Sequence, residues 1–419
     1  MIHQQQRPRR LIAALGRDES GAIALVASLL ATMLLAFLAL SVEVGMWYKA
    51  NRQLQTAADA AAFAGALERA RGNTAGYEQV AEDEAVRNGA VAAEVTINSP
   101  PATGTYAANA VEVLINHSAQ LLLSSMFLTQ GPTIHVRSVA GTVTSGNFCV
   151  LALSGTAAGA ITATGNASVD MSGCSIASNS TSASSMLFAG SSDVEALGAS
   201  AAGSISGEES HLTTTDGIQE SQPALPDPYA DLEVPAFDPT DCQPQNSFGQ
   251  NDGPTISPGV YCGGLSFGSQ ANITLQPGVY IVDGGDFDVN GQATISGDGV
   301  TIILTSSSGS DWGEVTINGG ADVNLTADDE GDYAGVVMFS DPDSDPISVR
   351  FNGGADLAMT GALYFPTGAV TFNGNSSGSS ACTQIIGLTV EFSGSSGIGS
   401  DCTGVGTQSI GYAKPTLLD

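Results

Sequence analysis

Apolar residues follow three different rules along the 419 residues of this chain. Residues 22–42 form an uninterrupted run without a charge, long enough to cross a hydrocarbon core of about 30 Å as a helix. The next stretch, 53–67, is rich in Ala, the best helix former, and predicts that the helix continues past the bilayer. Leu54, Ala57, Ala58, Ala61, Gly65 and Ala66 form a narrow stripe on it. Small groups in such a row let another helix approach closely. From 77 to 145 the period alternates between helix and strand. Val80, Ala81, Glu84, Ala85 and Arg87 keep helical spacing and stop at Gly89. Residues 93–98, 110–116 and 133–143 alternate as half-buried strands do, and the apolar run 121–128 reads as a helix. These elements predict a small α+β unit.

Past Gly146 a turn-then-strand phrase recurs. Asn290-Gly291-Gln292-Ala293, Asn318-Gly319-Gly320-Ala321-Asp322-Val323 and Asn352-Gly353-Gly354-Ala355-Asp356-Leu357 are the clearest copies, with weaker ones at Gly165 and Gly268. The repeated alanines, Ala271, Ala293, Ala321 and Ala355, move further apart with each copy. Repeats of this size point to a solenoid or propeller, and the irregular period disfavours a propeller. The phrase places a small residue at each corner and alternates apolar with Thr, Asn or Asp after it. We expect a mainly β protein whose bulk is a right-handed parallel β-helix, with a β-sandwich as the alternative. Residues 207–258 concentrate the prolines, which exclude regular helix and strand interiors and predict a long loop or strap. The expected organisation is a basic N-terminus at 1–21, an anchor at 22–42, a helix and small α+β unit at 43–145, a β-helix at 146–413 and a tail at 414–419.

Charge sharpens this division. The chain has twelve Lys/Arg and 42 Asp/Glu, net −30. Up to Ser145 there are ten against eleven; the remainder, two against thirty-one, all lies beyond. So acidic a surface repels nucleic acid and anionic lipid, and nucleic acid is excluded as a partner. Arg7, Arg9, Arg10 and Arg17 precede the apolar run and favour a cytoplasmic N-terminus. The run is longer than the apolar region of a signal peptide and lacks a small-x-small end, so an uncleaved anchor is expected. Six cysteines, Cys149, Cys174, Cys242, Cys262, Cys382 and Cys402, all lie in the acidic part and none forms a C-x-x-C pair. That spacing argues against zinc. They fall into three neighbouring couples, read as local disulfides made in an oxidising compartment.

Arg17-Asp18-Glu19-Ser20-Gly21-Ala22, the apolar run, and then Asn51-Arg52-Gln53-Leu54-Gln55-Thr56-Ala57-Ala58-Asp59-Ala60-Ala61 resemble the N-terminus of TadG-like and TadE-like proteins of the bacterial tight-adherence (Tad/Flp) pilus assembly system. TadE-type pseudopilins carry a Glu at the fifth position after a Gly, cut by a prepilin peptidase; Val26 stands there after Gly21. That departure favours the TadG-like kind and an intact anchor. Pro258-Gly259-Val260-Tyr261-Cys262, Pro277-Gly278-Val279-Tyr280 and Leu363-Tyr364-Phe365-Pro366 extend the resemblance into the C-terminal half. The von Willebrand A-type metal motif of some relatives is missing, since Asp170-Met171-Ser172-Gly173-Cys174 ends on the wrong residue. The resemblance implies a bacterial inner-membrane protein with partners among other Tad/Flp proteins. The anchor and its Ala-rich extension are then expected to pack with helices of pilus or assembly proteins.

Candidate chemistry is sparse. Gly264-Leu265-Ser266-Phe267-Gly268 and Gly374-Asn375-Ser376-Ser377-Gly378 fit G-x-S-x-G, but the last histidine, His211, precedes both, whereas a hydrolase elbow needs one to follow. His117 and His135 read as ordinary strand residues. Asp283, Asp286 and Asp288, or Asp328, Asp329, Glu330 and Asp332, could supply the paired carboxylates of a glycan hydrolase. Asp341, Asp343 and Asp345 resemble the first half of a calcium loop, although Pro346 and Asn352 replace its Gly and bidentate Glu. No catalytic residue and no cofactor is expected. The sequence therefore predicts a non-enzymatic scaffold or adhesion module of the pilus apparatus, anchored in lipid through 22–42. A surface ligand is a further expected partner. The alternatives are an anchored carbohydrate-active enzyme and a pilus-independent adhesin.

Overall fold

The computed structural model describes residues 20–71, 73–107, 109–373, 382–394, 396–397, 402 and 404–418. The basic N-terminus with its four arginines and the serine string at 374–378 lie outside the described residues, as does Asp419. Contacts divide the chain into two units, residues 1–143 with 413–419, and residues 144–412.

The first unit is built on one helix, α1 (Ser20–Ala70), whose 51 residues span about 75 Å at the usual helical rise. Its first half exposes Leu29, Met33, Leu34, Phe37 and Leu38. Its second half buries Leu54, Ala57, Ala58, Ala61, Ala62 and Ala66. Against that face packs α2 (Tyr77–Arg87), through Tyr77, Ala81 and Ala85. Gly89, at φ 99°, follows α2 in the left-handed conformation that favours glycine. A three-stranded antiparallel meander comes next, β1 (Val95–Asn98), β2 (Val111–Ser118) and β3 (Thr133–Ala152), with Val111, Val113 and Ile115 completing the core. The expected strand at 93–98 starts only at Val95, after a 3-10 turn at Ala92–Glu94.

The helix expected at 121–128 does not form; only a single 3-10 turn, Ser124–Met126, is present. Eight residues make little more than two turns, too few to stand as a helix without a packed apolar face, and Leu122, Leu123, Met126, Phe127 and Leu128 all stay exposed. The amides of Leu122 and Ser124 instead donate to the Glu43 carboxylate, at 2.9 Å each, and hold the segment beside α1.

The second unit is a parallel β-helix. Two ladders of short parallel strands run its length, and a third is divided into two stretches, one ending at residues 356–360 and one from 396–397 to 212–214. One of the long ladders passes through Gly259–Cys262, Gly278–Asp283, Val300–Thr305, Val336–Ser340, Asp356–Phe372 and Thr383–Phe392. The order of coils in space differs from their order in the chain. Thr383–Phe392, the last long strand of the unit, pairs on its far side with residues 150–152 of β3 and with Ile161–Ala163. The chain thus enters the stack at an interior coil and builds outward through Ser175–Ser178 and Ala199–Ala201. It then crosses to the other end at 220–246 and returns coil by coil to the point of entry.

The repeated phrase has a physical role at each corner. Asn318 donates to Asn290 at 3.4 Å, Asn352 to Asn318 at 3.3 Å and Asn373 to Asn352 at 3.2 Å, forming a ladder of side-chain amides. The next residues must be small: a Cβ on Gly319 would stand 2.2 Å from the carbonyl oxygen of Gly353. Ala271, Ala293, Ala321 and Ala355 follow and are buried. Inside, Phe248, Phe267 and Phe287 follow one another at 5.9 Å steps, and Phe351, Phe372 and Phe392 at 4.7 and 5.5 Å.

Alternation of apolar and polar residues holds on one ladder, as in Asp322–Thr326, but not on the ladder with Val300–Thr305, which is buried on both sides. The crossing segment covers it. Leu225 and Tyr229 bury against Leu151, Ile303, Phe339, Tyr364 and Ile386. Asn179 fixes the segment with two bonds, accepting the Leu225 amide at 2.7 Å and donating to its carbonyl at 2.9 Å. The expected loop at 207–258 is therefore shorter. Residues 208–219 and 247–256 contribute short strands and one helical turn to coils, and only 220–246 forms the strap.

Candidate functional site

In the first unit the small-residue stripe is already occupied. Leu54 is 5% exposed and Ala57, Ala58 and Ala61 are fully buried. A Cβ on Gly65 would lie 3.1 Å from Val111 Cγ1 and 3.2 Å from Ala81 Cβ. The stripe does pack closely, but the expectation that it receives helices of other proteins is corrected: α2 and β2 fill it. Small residues on α2, Ala81 and Ala85, let the two helices close in. Nothing in the stripe distinguished a partner within the chain from one outside it.

Polar anchors surround that core. The buried Glu112 carboxylate accepts from Arg137 Nε at 2.7 Å, Asn98 Nδ2 at 2.7 Å and the Ala102 amide at 3.0 Å. Burial pushes its pKa up, but these bonds and the guanidinium charge outweigh it and hold the carboxyl below the usual range. Gln55 on α1 donates to the Arg137 carbonyl at 2.9 Å, tying helix to strand. His117 Nδ1 pairs with Glu94 at 2.8 Å and His135 Nδ1 with Asn116, so both histidines serve the sheet. Glu43, only 2% exposed, also accepts the Ser124 hydroxyl at 2.6 Å. The sequence signal for Glu43 was a lone carboxylate ending the uncharged run; its partners, far along the chain, were invisible.

In the β-helix the cysteines pair as Cys149–Cys174, Cys242–Cys262 and Cys382–Cys402. The second fastens the end of the strap to the strand Gly259–Cys262.

The candidate carboxylates mostly cap turns. Asp341 accepts the Thr305 hydroxyl at 2.7 Å and the Asp343 amide at 3.0 Å. Among the described residues no three His, Cys, Asp or Glu side chains gather as metal ligands, Asp341, Asp343 and Asp345 included. Asp283 is buried and accepts from the Ser307 amide at 2.6 Å and its hydroxyl at 2.7 Å. Asp286 accepts the Glu314 amide at 2.9 Å, and Asp328 that of Glu330 at 3.2 Å. Asp288 differs. It is half-buried, and desolvation followed by the charges of Asp286 and Glu314 raises its pKa. Glu314 in turn pairs with Arg350 at 3.0 Å.

Ser266 sits in the strand Leu265–Phe267 with another strand, Asn272–Leu275, after it, so the strand-to-helix turn of a nucleophile elbow is missing there. His211 Nδ1 is 2.9 Å from the Ser192 carbonyl. Asp227 carried no sequence signal beyond its place among the prolines. It accepts the Tyr229 amide at 3.0 Å and the Tyr364 hydroxyl at 2.9 Å under the strap.

With this geometry in place, comparison with known families is decisive for one region. Residues 21–70 match the family described as putative Flp pilus-assembly TadE/G-like. The chain carries a TadE/G-like domain. This TadE/G-like segment coincides with α1, joining the apolar run to the buried alanine face. It does not reach the C-terminal phrases that suggested a longer resemblance. No curated protein and no solved structure matches the chain. A TadE/G-like domain on a helix long and apolar enough to cross a membrane makes this a membrane-anchored envelope component related to pilus assembly.

Proposed function

We propose that the protein is a non-enzymatic scaffold of a Tad/Flp pilus apparatus, held in the bacterial inner membrane with its N-terminus in the cytoplasm. The acidic β-helix lies on the opposite side, in the periplasm or at the surface, and presents a binding or adhesive face to other pilus proteins or to a surface ligand. The observation that carries this reading is the TadE/G-like match along α1, which ties the family's segment to both the span and the first unit's core. Three disulfides support an oxidising compartment for the β-helix. The test is a strain lacking the gene: pilus number should fall, and return with the full chain. Pilus formation equal to wild type would reject the proposal. Protection of the β-helix from protease in intact cells, and its digestion in spheroplasts, would demonstrate the periplasmic orientation.

One observation favours a second reading. An anchored glycan hydrolase would need a carboxylic acid with a second carboxylate nearby, and Asp288, half-buried in the field of Asp286 and Glu314, is the residue at which that reading is tested. Under the scaffold reading Asp288→Asn leaves pilus assembly intact and the purified protein cleaves no envelope glycan. Cleavage abolished by Asp288→Asn would replace that reading with the enzyme.

A further inference from the structure

The loop at 121–128 exposes Leu122, Leu123, Met126, Phe127 and Leu128 together. Phe127 at 86% and Met126 at 80% are the two most exposed large apolar side chains among the described residues. Such a patch in water is unusual unless something covers it. Across from it lies the membrane-crossing part of α1. Met33, Phe37 and Leu40 form one wall of a groove of about 470 Å³, and Leu123, Met126 and Phe127 form the other. The loop's apolar surface is thus continuous with a helix surface that faces acyl chains.

Two polar anchors hold it there. The Glu43 carboxylate takes the amides of Leu122 and Ser124 and the Ser124 hydroxyl. Backbone donors satisfied in this way can approach hydrocarbon without the cost of an unpaired N–H. Trp47, one turn further along α1, donates its indole N–H to the Gln120 carbonyl at 3.3 Å. Trp belongs at the boundary between headgroups and chains, where its ring is buried and its N–H wet. Glu43 ends the uncharged run, so both anchors mark the same depth.

The geometry points to residues 121–128 as a second membrane-inserting element, a loop that dips into the headgroup and acyl-chain boundary of the bilayer crossed by α1, with Glu43 as its clamp. An apolar loop of this kind binds by buried area, as interfacial segments do. It converts a single tether into a two-point attachment that fixes the first unit against the membrane. The inference rests on α1 crossing the bilayer, and the test separates the two.

The full chain is placed in vesicles of phosphatidylethanolamine and phosphatidylglycerol, with one added cysteine carrying a nitroxide: Phe127→Cys, Met126→Cys, Leu34→Cys or Asp345→Cys. The six natural cysteines are paired, so only the added one reacts. Collision with oxygen reports lipid, and collision with a nickel chelate reports water. Labels at 126 and 127 should favour oxygen as the label at 34 does, while 345 favours nickel. A water-like reading at 127 with a lipid-like reading at 34 overturns the loop and leaves the anchor standing. A water-like reading at 34 overturns both. Low access to either reagent at 127 means that protein covers the loop, and also overturns the proposal. Glu43→Ala should move the label at 127 toward water and leave the label at 34 unchanged; no movement at 127 removes Glu43 from the role of clamp.

Discussion

The first unit closes its core around one face of one helix, whereas the β-helix closes its core many times over with the same corner. In the first, Ala57, Ala58, Ala61 and Gly65 meet α2 and β2 once, and Glu112 with Arg137 pins the sheet beside them. Losing either contact has no neighbour to absorb it. In the second, each coil contacts only the coils beside it, so its stability is close to a sum of local terms. Two places break that rule. One is the seam where Thr383–Phe392 meets residues 150–152, joining segments from opposite ends of the unit's sequence. The other is the strap, which lies over many coils at once. Repetition makes a structure tolerant, and the few non-repeating contacts set its weak points.

The largest effect should come from removing the arginine of the non-repeating unit. Arg137→Met leaves the Glu112 carboxylate buried without its charge partner. Breaking a buried pair costs ~3–5 kcal/mol, and because the Arg137 side chain is 28% exposed the lower end applies. Amide exchange across β1 and β2 should quicken about a hundredfold while the β-helix is unchanged. Equal loss in both regions would show that the two do not respond separately.

Reducing the Cys242–Cys262 bridge comes next. Closing a loop of that size is worth about 3 kcal/mol in the chain-entropy account. The expected result is faster cleavage within 220–246, read by peptide mapping, with the coils beyond 265 still protected. Leu225→Ala, at a residue 4% exposed, should cost about 2–3 kcal/mol and free the same strap. Asn318→Ala, one rung of the amide ladder, should cost only about 1 kcal/mol, detected as a small drop in urea midpoint. A large cooperative collapse from that single rung would contradict the picture of independent coils.

The smallest and sharpest test is the sign of the pH response. Glu112 is held below the ordinary carboxylate range, so its stabilisation is present above that range and is lost as pH falls through the lowered value. Asp227 is the reverse. Burial pushes it up despite its bonds from Tyr229 and Tyr364, so the folded strap is favoured fully below the ordinary Asp value and loses that support as pH rises through the raised one. Exchange protection of β2 should therefore weaken toward acid, while protection of the strap improves. Asp227→Asn should flatten the second trend alone.

Residue patterns revealed the parts better than their neighbours. The length of the anchor, the Ala-rich continuation of α1, the turn-and-strand phrase and the couples of cysteines close in sequence all express interactions within a few dozen residues. Helix propensity, bilayer thickness and loop closure act at that range and leave their mark in order along the chain. The apolar run 121–128 looks alike as a buried helix or as an exposed loop, and Glu43, which holds it, lies far along the chain. The alanine stripe was visible, but a small-residue face fits a helix of the same chain as well as one from another protein. Most telling is the order of coils. The amide ladder, the small corner and the aromatic step recur among the coils between 248 and 392, and the repeated phrase carries no label for where the coils at 150–219 stack on them. Only folding of the whole chain decides that the first coils sit on the last and that a strap carries the chain from one end to the other. It is likewise the tertiary structure that returns residues 413–418 to the first unit, where the Leu418 amide donates to the Val139 carbonyl at 2.8 Å.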